Sequence, residues 1–210
     1  MKITVFGSAK KTGREVVRQA LDRGYTVTAY ARNPQKLDII HSNLTVVSGE
    51  LSDKDAIKTA VQGAACVISA LGPYFTVRDT ALSDGVSNIL SAMKESGVSR
   101  IIQLSTISSP DPNDGKDFRA KMLVGMVKRS YPGSYAEIVR IGQMVRDSDM
   151  DWTLVRIALL NDKPLSKKLR VGCLGQKIVR TNVSRADLAW FMLEQAESSE
   201  HSRKAPAISN

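Results

Sequence analysis

The stretch "KITVFG" alternates apolar and polar residues and meets a glycine at Gly7; "GREVVRQALDRG" follows at once, with apolar residues at helical spacing up to Gly24. A strand, a tight glycine turn and a helix in that order form the first half of a βαβ unit. No other feature narrows the possible folds as much, because a helical crossover returns the next strand parallel to the first.

The alternation continues. "YTVTAYAR" reads as a second strand, and "NPQKL" offers Asn33 as cap and Pro34 as first residue of a short helix. "LTVVSGE" is a third strand; Ser52, with Asp55 three residues on, is expected to cap the next helix. "ACVISALG" is a continuous apolar strand of the kind buried on both faces of a parallel sheet. A helix from about Thr80 to Ser96, the strand "SRIIQLST" and the turn-rich "SSPDPNDG" come next. Helical patterns in "KDFRAKMLVGMVKRS" and "YAEIVRIGQMVRDS" are separated by the break "YPGS". "DWTLVRIALL" predicts a sixth strand, "TNVSRADLAWFMLEQAE" a helix capped by Ser184, and "KAPAIS" a last short strand. The expected fold is therefore α/β: a single Rossmann-type domain over residues 1–210, with a doubly wound, mostly parallel sheet and helices on both faces. The loop and helix of about 108–134 are expected on the substrate side.

Composition limits the partners. The net charge of +9 is spread along the chain and aromatic residues make up only 5%, so neither a basic tract nor an aromatic stacking cluster marks a nucleic-acid site. An anionic small molecule explains the charge better. No apolar run reaches the roughly 20 residues of a membrane span, and "MKITVFG" is too short and too alternating for a secretory leader. Cys66 and Cys173 have no metal-ligand spacing, and Cys66, inside "AACVISAL", is expected to be a buried free thiol. "DPNDG" lacks the later ligands of a calcium loop and reads as a turn. A cytoplasmic protein, monomeric or homodimeric, with no metal, nucleic-acid or membrane partner, is the expectation.

In a doubly wound sheet ligands gather at the carboxyl ends of the strands, where strand order reverses. Gly7 suits the tight turn there, Gly13 suits close helix–strand packing, and amides at the helix start suit a phosphate. Lys10 stands where such loops usually carry a further glycine, either gripping phosphates together with Lys11 and Arg14 or obstructing them. At the end of strand 2, where chains preferring NAD place a carboxylate for the ribose, there is Arg32, with Lys36 beyond it. A guanidinium at that place matches a 2′-phosphate, which points to NADP(H).

Together these segments resemble the atypical short-chain dehydrogenase/reductases of the NmrA-like group, most of all the flavin reductase/biliverdin reductase B branch. The likeness runs nearly end to end through "VFGSAKKTGREVVRQALDRGYTVTAYARNPQKL", "VVSGELSDKDAIKTAVQGAACVISALG", "RIIQLST", "DSDMDWTLVRIALLND" and "VSRADLAWFML". Gly7, Ala9, Thr12 and Gly13 fall on the family turn GATGxTG, and Lys10 replaces its middle glycine. The resemblance implies that Ser8 to Thr12 hold the pyrophosphate and Arg32 the 2′-phosphate, and that Glu50 and Leu51 flank the adenine. It implies that Leu71 and Gly72 pass beneath the cofactor, that Ser105 and Thr106 lie beside the nicotinamide, and that Ile157, Ala158 and Leu159 close over the ring.

Candidate acids are few. Neither Tyr131 nor Tyr135 precedes a lysine by four residues, so the Tyr-x-x-x-Lys pair of many short-chain reductases is absent from the linear sequence. Leu159 stands where the resembled reductases often carry histidine, and His41 and His201 lie away from the predicted site. Ser105 and Thr106 remain as orienting hydroxyls, with Tyr74, followed by Arg78, as a substrate-loop residue and proton-donor candidate. Met122, Leu123, Met126 and Val127 lie at helical spacing and are expected to face the core, the alternative being a permissive pocket for flat, apolar acceptors. Two functions outside this reading stay open: a non-catalytic sensor of NADP(H) of the NmrA type, and a non-redox tailoring enzyme such as an isomerase.

Overall fold

The structure, a computed structural model, describes residues 1–72, 80–176 and 180–210. Strand β1 (Lys2–Phe6) leads through the Gly7 turn into helix α1 (Lys11–Asp22), and β2 (Thr26–Ala31) returns parallel beside β1. A single 3-10 turn (Pro34–Lys36) and β3 (Leu44–Ser48) complete this side of the sheet. The chain then crosses through α2 (Lys54–Val61) to β4 (Cys66–Ser69), which pairs with the other edge of β1. Helix α3 (Ala81–Glu95), β5 (Arg100–Thr106), helices α4 (Phe118–Ser130) and α5 (Pro132–Asp147), and β6 (Asp151–Ile157) follow. Beyond these come β7 (Leu159–Asn161), β8 (Arg170–Gly172), β9 (Asn182–Ser184), α6 (Arg185–Glu197) and β10 (Ala207–Ser209).

Among the described residues the main sheet has the order β3-β2-β1-β4-β5-β6-β10-β8, parallel except where β8 runs against β10. Side chains alternate between two cores, as the period of two in a strand requires. Val5, Ile68 and Val155 face α1 and α6, while Phe6, Val67 and Leu154 face α2, α3 and α5. This is the doubly wound α/β architecture expected of the alternating pattern. The order reverses between β1 and β4, and that crevice positions the candidate site.

Several local expectations shift. Helix α1 starts at Lys11, so Gly13 lies inside its first turn. The cap of α2 is Asp53, whose carboxylate accepts the Ala56 N–H at 3.0 Å, and not Ser52; the helix starts at Lys54, one residue later than a Ser52 cap requires. Asn33 precedes the 3-10 turn as expected, but its side chain makes no capping bond. Helix α5 begins at Pro132, earlier than the "YPGS" break suggests, because proline in the first turn gives up only an amide that has no helical partner.

The predicted sixth strand divides. β6 ends at Ile157, and β7 leaves the main sheet to pair with β9 in a parallel two-stranded ladder. The methionine stripe does not enter the core: Met122 and Met126 are 64% and 57% exposed, because α4 packs through Ala120, Leu123 and Val124 instead. Ser184 caps α6 as expected, its Oγ accepting the Asp187 N–H at 3.0 Å. Cys66 is a buried free thiol whose burial pushes its pKa up to about 12.

Candidate functional site

Gly7 has φ +75°, and a Cβ there would stand 3.1 Å from the Ala70 carbonyl, so both backbone freedom and space require glycine. The constraint at Gly13 is tighter: a Cβ would meet the Gly7 carbonyl oxygen at 2.2 Å and the Ser8 Cα at 2.9 Å. The first turn of α1 therefore rests directly on the peptide after β1. Ser8 is buried and its hydroxyl donates to the Tyr30 carbonyl at 2.8 Å, fastening the turn to β2. Ala9 and Lys10 close the turn, with the Lys10 N–H bonded to the Gly7 carbonyl at 3.1 Å.

Lys10 precedes the helix with φ −94° and ψ 160°, an extended conformation open to any residue. That explains how lysine replaces the middle glycine without backbone strain. No side chain caps α1 and no acid lies in its first turn, so the amides of Lys11, Thr12 and Gly13 face the crevice with the positive end of the helix dipole. These groups form a cradle suited to a pyrophosphate, and the two glycines that shape it leave no room for a side chain.

The surrounding charges are arranged in pairs. Lys11 Nζ lies 3.1 Å from the Asp162 carboxylate, which Arg185 also reaches. Hydrogen bonds from Lys11 and Arg185 hold the Asp162 carboxyl below its usual range. Arg14 donates to the Lys36 carbonyl and ties α1 to the 3-10 turn. Arg32 projects from the end of β2 with its side chain 78% exposed, its Nε 3.9 Å from Glu50 Oε1. Tyr30 Oη donates to the Glu50 carbonyl at 2.7 Å and so ties β2 to the segment just after β3. Leu51 packs on Gly85 of α3, where a Cβ would stand 2.6 Å from the Leu51 Cβ.

Across the crevice, Leu71 is buried and its carbonyl accepts from Gln103 Nε2 at 3.2 Å; Gly72 is partly exposed, and a Cβ there would meet no atom of the described residues within 4 Å. Tyr74 and Arg78 lie outside the described residues. Ser105 pairs in register with Arg156, and Thr106 with Ile157, at the carboxyl ends of β5 and β6. Ser105 is buried and its hydroxyl makes no hydrogen bond among the described residues. Thr106 Oγ1 accepts the Ser108 N–H at 3.1 Å, which leaves its own proton to donate elsewhere. Ala158, between β6 and β7, packs with Ile107 and Leu174 beneath α4. The lysine that Tyr135 lacks in linear spacing comes near it in space: Lys128 Nζ of α4 lies 5.5 Å from the Tyr135 ring centroid.

Sequence reasoning missed what holds the loop after β5. Arg156 is fully buried, and its guanidinium donates to both Asp114 carboxylate oxygens, at 2.5 and 2.7 Å, and to the carbonyls of Ser109 and Ala205. Asp114 also accepts the backbone amides of Leu174 and Asp111. Arg146 of α5 reaches Ser109 Oγ at 3.2 Å and Asp111 at 3.5 Å. "DPNDG" is indeed a turn, but its carboxylates serve as internal anchors. An arginine in an otherwise apolar strand, "TLVRIALL", was the available signal. No cluster of three metal-ligating residues occurs among the described residues.

The profile of a family described as NAD(P)H-binding matches residues 7–199 of this chain. The chain belongs to the NAD(P)H-binding family. Among curated relatives, a (4-alkanoyl-5-oxo-2,5-dihydrofuran-3-yl)methyl phosphate reductase of Streptomyces griseus is 28% identical over 73% of this chain and 46% of its own length. A 3 beta-hydroxysteroid dehydrogenase/Delta 5-->4-isomerase of Mycobacterium tuberculosis is 30% identical over 51% of this chain and 32% of its own. The chain thus spans less than half the length of these relatives. Among solved structures, the anaerobillin reductase ChuY of Escherichia coli O157:H7 superposes with TM-score 0.77 at 19% identity, covering 100% of this chain and 97% of that one. A short-chain dehydrogenase/reductase of Veillonella parvula, solved with NADP, gives TM-score 0.77 at 20% identity, covering 100% and 94%. These neighbours share the doubly wound α/β fold described above. No helix among the described residues is long and apolar enough to cross a membrane.

Proposed function

We propose that this protein is an NADPH-dependent reductase of a flavin, a quinone or a related conjugated small molecule. One observation carries the reading: the uncapped start of α1, shaped by Gly7 and Gly13, opens at the strand-order switch beside an arginine at the end of β2. The cofactor, when bound, supplies a hydride from its nicotinamide to the acceptor.

The chain's own residues bind and orient. Backbone and side chains around Ser8 to Thr12 hold the pyrophosphate, and Arg32, with Lys36 nearby, receives the 2′-phosphate through charge-assisted hydrogen bonds. Glu50 and Leu51 border the adenine. Leu71 and Gly72 form the floor, and Ile157 and Ala158 close the far side. Ser105 and Thr106 supply hydroxyls at the ends of β5 and β6 to orient the reacting groups, and the segment 108–134 shapes the acceptor's mouth. Position and orientation supply most of the rate, and the reduced acceptor takes its proton from solvent or from Tyr74.

The names of relatives and neighbours support a reductase: a phosphate-ester reductase, a hydroxysteroid dehydrogenase and an anaerobillin reductase all occur among them. Steady-state oxidation of NADPH in the presence of a panel of flavins and quinones tests the assignment. Turnover with at least one acceptor, faster with NADPH than with NADH, is the expected result. Tight NADPH binding without turnover on any acceptor would overturn it in favour of a sensor.

A further inference from the structure

Helix α4 has two apolar faces where a surface helix ordinarily has one. Ala120, Leu123 and Val124 pack against Ile107 and Leu174. On the other side Phe118, Met122 and Met126, four residues apart and therefore stacked along one line, are 81%, 64% and 57% exposed.

Cations border this exposed stripe. With about 3.6 residues per turn, Lys121 and Lys128 fall along one margin, Arg119 along the other, and Arg129 at its C-terminal end. The helix "FRAKMLVGMVKRS" contains no acidic residue. Arg119, Lys121 and Arg129 make no ion pair among the described residues. Apolar side chains projecting outward between long basic ones match an anionic bilayer surface: the apolar groups enter the acyl boundary while the cations stay among the phosphates. A second copy of the same face would bring like charges together, and the chain as a whole carries +9.

The geometry points to α4 as a docking surface for membranes rich in anionic lipid. Such docking needs no spanning segment.

Co-sedimentation of the whole chain with vesicles tests this directly. Binding is expected to vesicles of equimolar phosphatidylglycerol and phosphatidylcholine, not to phosphatidylcholine alone, and to weaken with added salt. M122Q/M126Q and R119E/K121E change only exposed side chains of α4, and each is expected to lower the partition roughly tenfold or more. Their thermal midpoints, expected to match the parent, serve as the folding control. F118S replaces either variant that fails this control. Absence of binding to anionic vesicles, or binding unchanged in the folded variants, overturns the proposal. So does concentration-dependent dimerisation, or capture of an acidic protein, that depends on the stripe while vesicles are ignored.

Discussion

Arg156 and Asp114 meet across 42 residues of sequence, and their two parallel hydrogen bonds pin the loop after β5 to the floor of the sheet. Removing one member leaves the other charge buried, which costs about 3–5 kcal/mol in comparable pairs. Asp114→Leu is therefore expected to lower the thermal midpoint by roughly 6–20 °C, at about 2–4 °C per kcal/mol for a chain of this size. The double variant with Arg156→Met is expected to recover much of the loss. Differential scanning calorimetry reads both, and a midpoint unmoved by Asp114→Leu would show that water replaces the carboxylate.

At the phosphate turn, Gly13→Ala would force a Cβ against the Gly7 carbonyl. Overpacking of this kind costs about 1–3 kcal/mol. Because the displaced peptide belongs to the cradle itself, NADPH affinity is expected to fall at least tenfold. Calorimetric titration at a temperature where the variant remains folded separates the affinity loss from unfolding.

Arg32 and Glu50 form an exposed, loose pair at 3.9 Å, worth little in itself. Arg32→Ala is expected to abolish most of the preference for NADP over NAD, about tenfold or more for one charge-assisted contact. Glu50→Gln releases the arginine and is expected to strengthen NADP binding slightly. Equal preference in the parent and Arg32→Ala, by titration, removes Arg32 from the 2′-phosphate site.

Lys10→Gly decides what the lysine does. Since Lys10 already has an extended backbone conformation, glycine changes charge and bulk more than geometry. Cofactor binding is expected to persist with a shallower dependence on salt. A large gain in affinity would instead identify Lys10 as an obstruction.

Asp187 is expected to contribute to the acid sensitivity of the C-terminal half. Burial pushes its carboxyl up, but hydrogen bonds from the Ser184 hydroxyl and from the Ser166 and Lys167 amides outweigh burial and hold it below the ordinary range. Its stabilisation is therefore complete above the unfolded pKa of about 3.9 and is lost as pH falls through the lower folded value. Asp187→Asn is expected to lower the midpoint at pH 7, with the gap to the parent closing as the pH falls below 4. Thermal melts across that range check it.

Much of this architecture is legible in sequence because its signals are local. Strand-turn-helix at Gly7, the Ser184 cap and burial of Cys66 each depend on a few adjacent residues and a period. What escapes depends on distant partners. Burial of Arg156 becomes tolerable only once Asp114 is known to face it, and the break after Ile157 depends on β9 offering a ladder to β7. The α4 stripe misleads for a related reason: its helical period is real, but two apolar faces compete for one core. For the site, the turn and the ends of β1, β2, β4, β5 and β6 lie where the pattern places them, whereas Tyr74 is outside the described residues.

The place of β10 has a consequence for biosynthesis. It lies between β6 and β8, although both precede it in the chain. As the polypeptide leaves the ribosome, β3-β2-β1-β4 can assemble from what has already emerged, while β8 has no neighbour until residues 207–209 appear. β8 can therefore join the sheet only after β10 has emerged to pair with it.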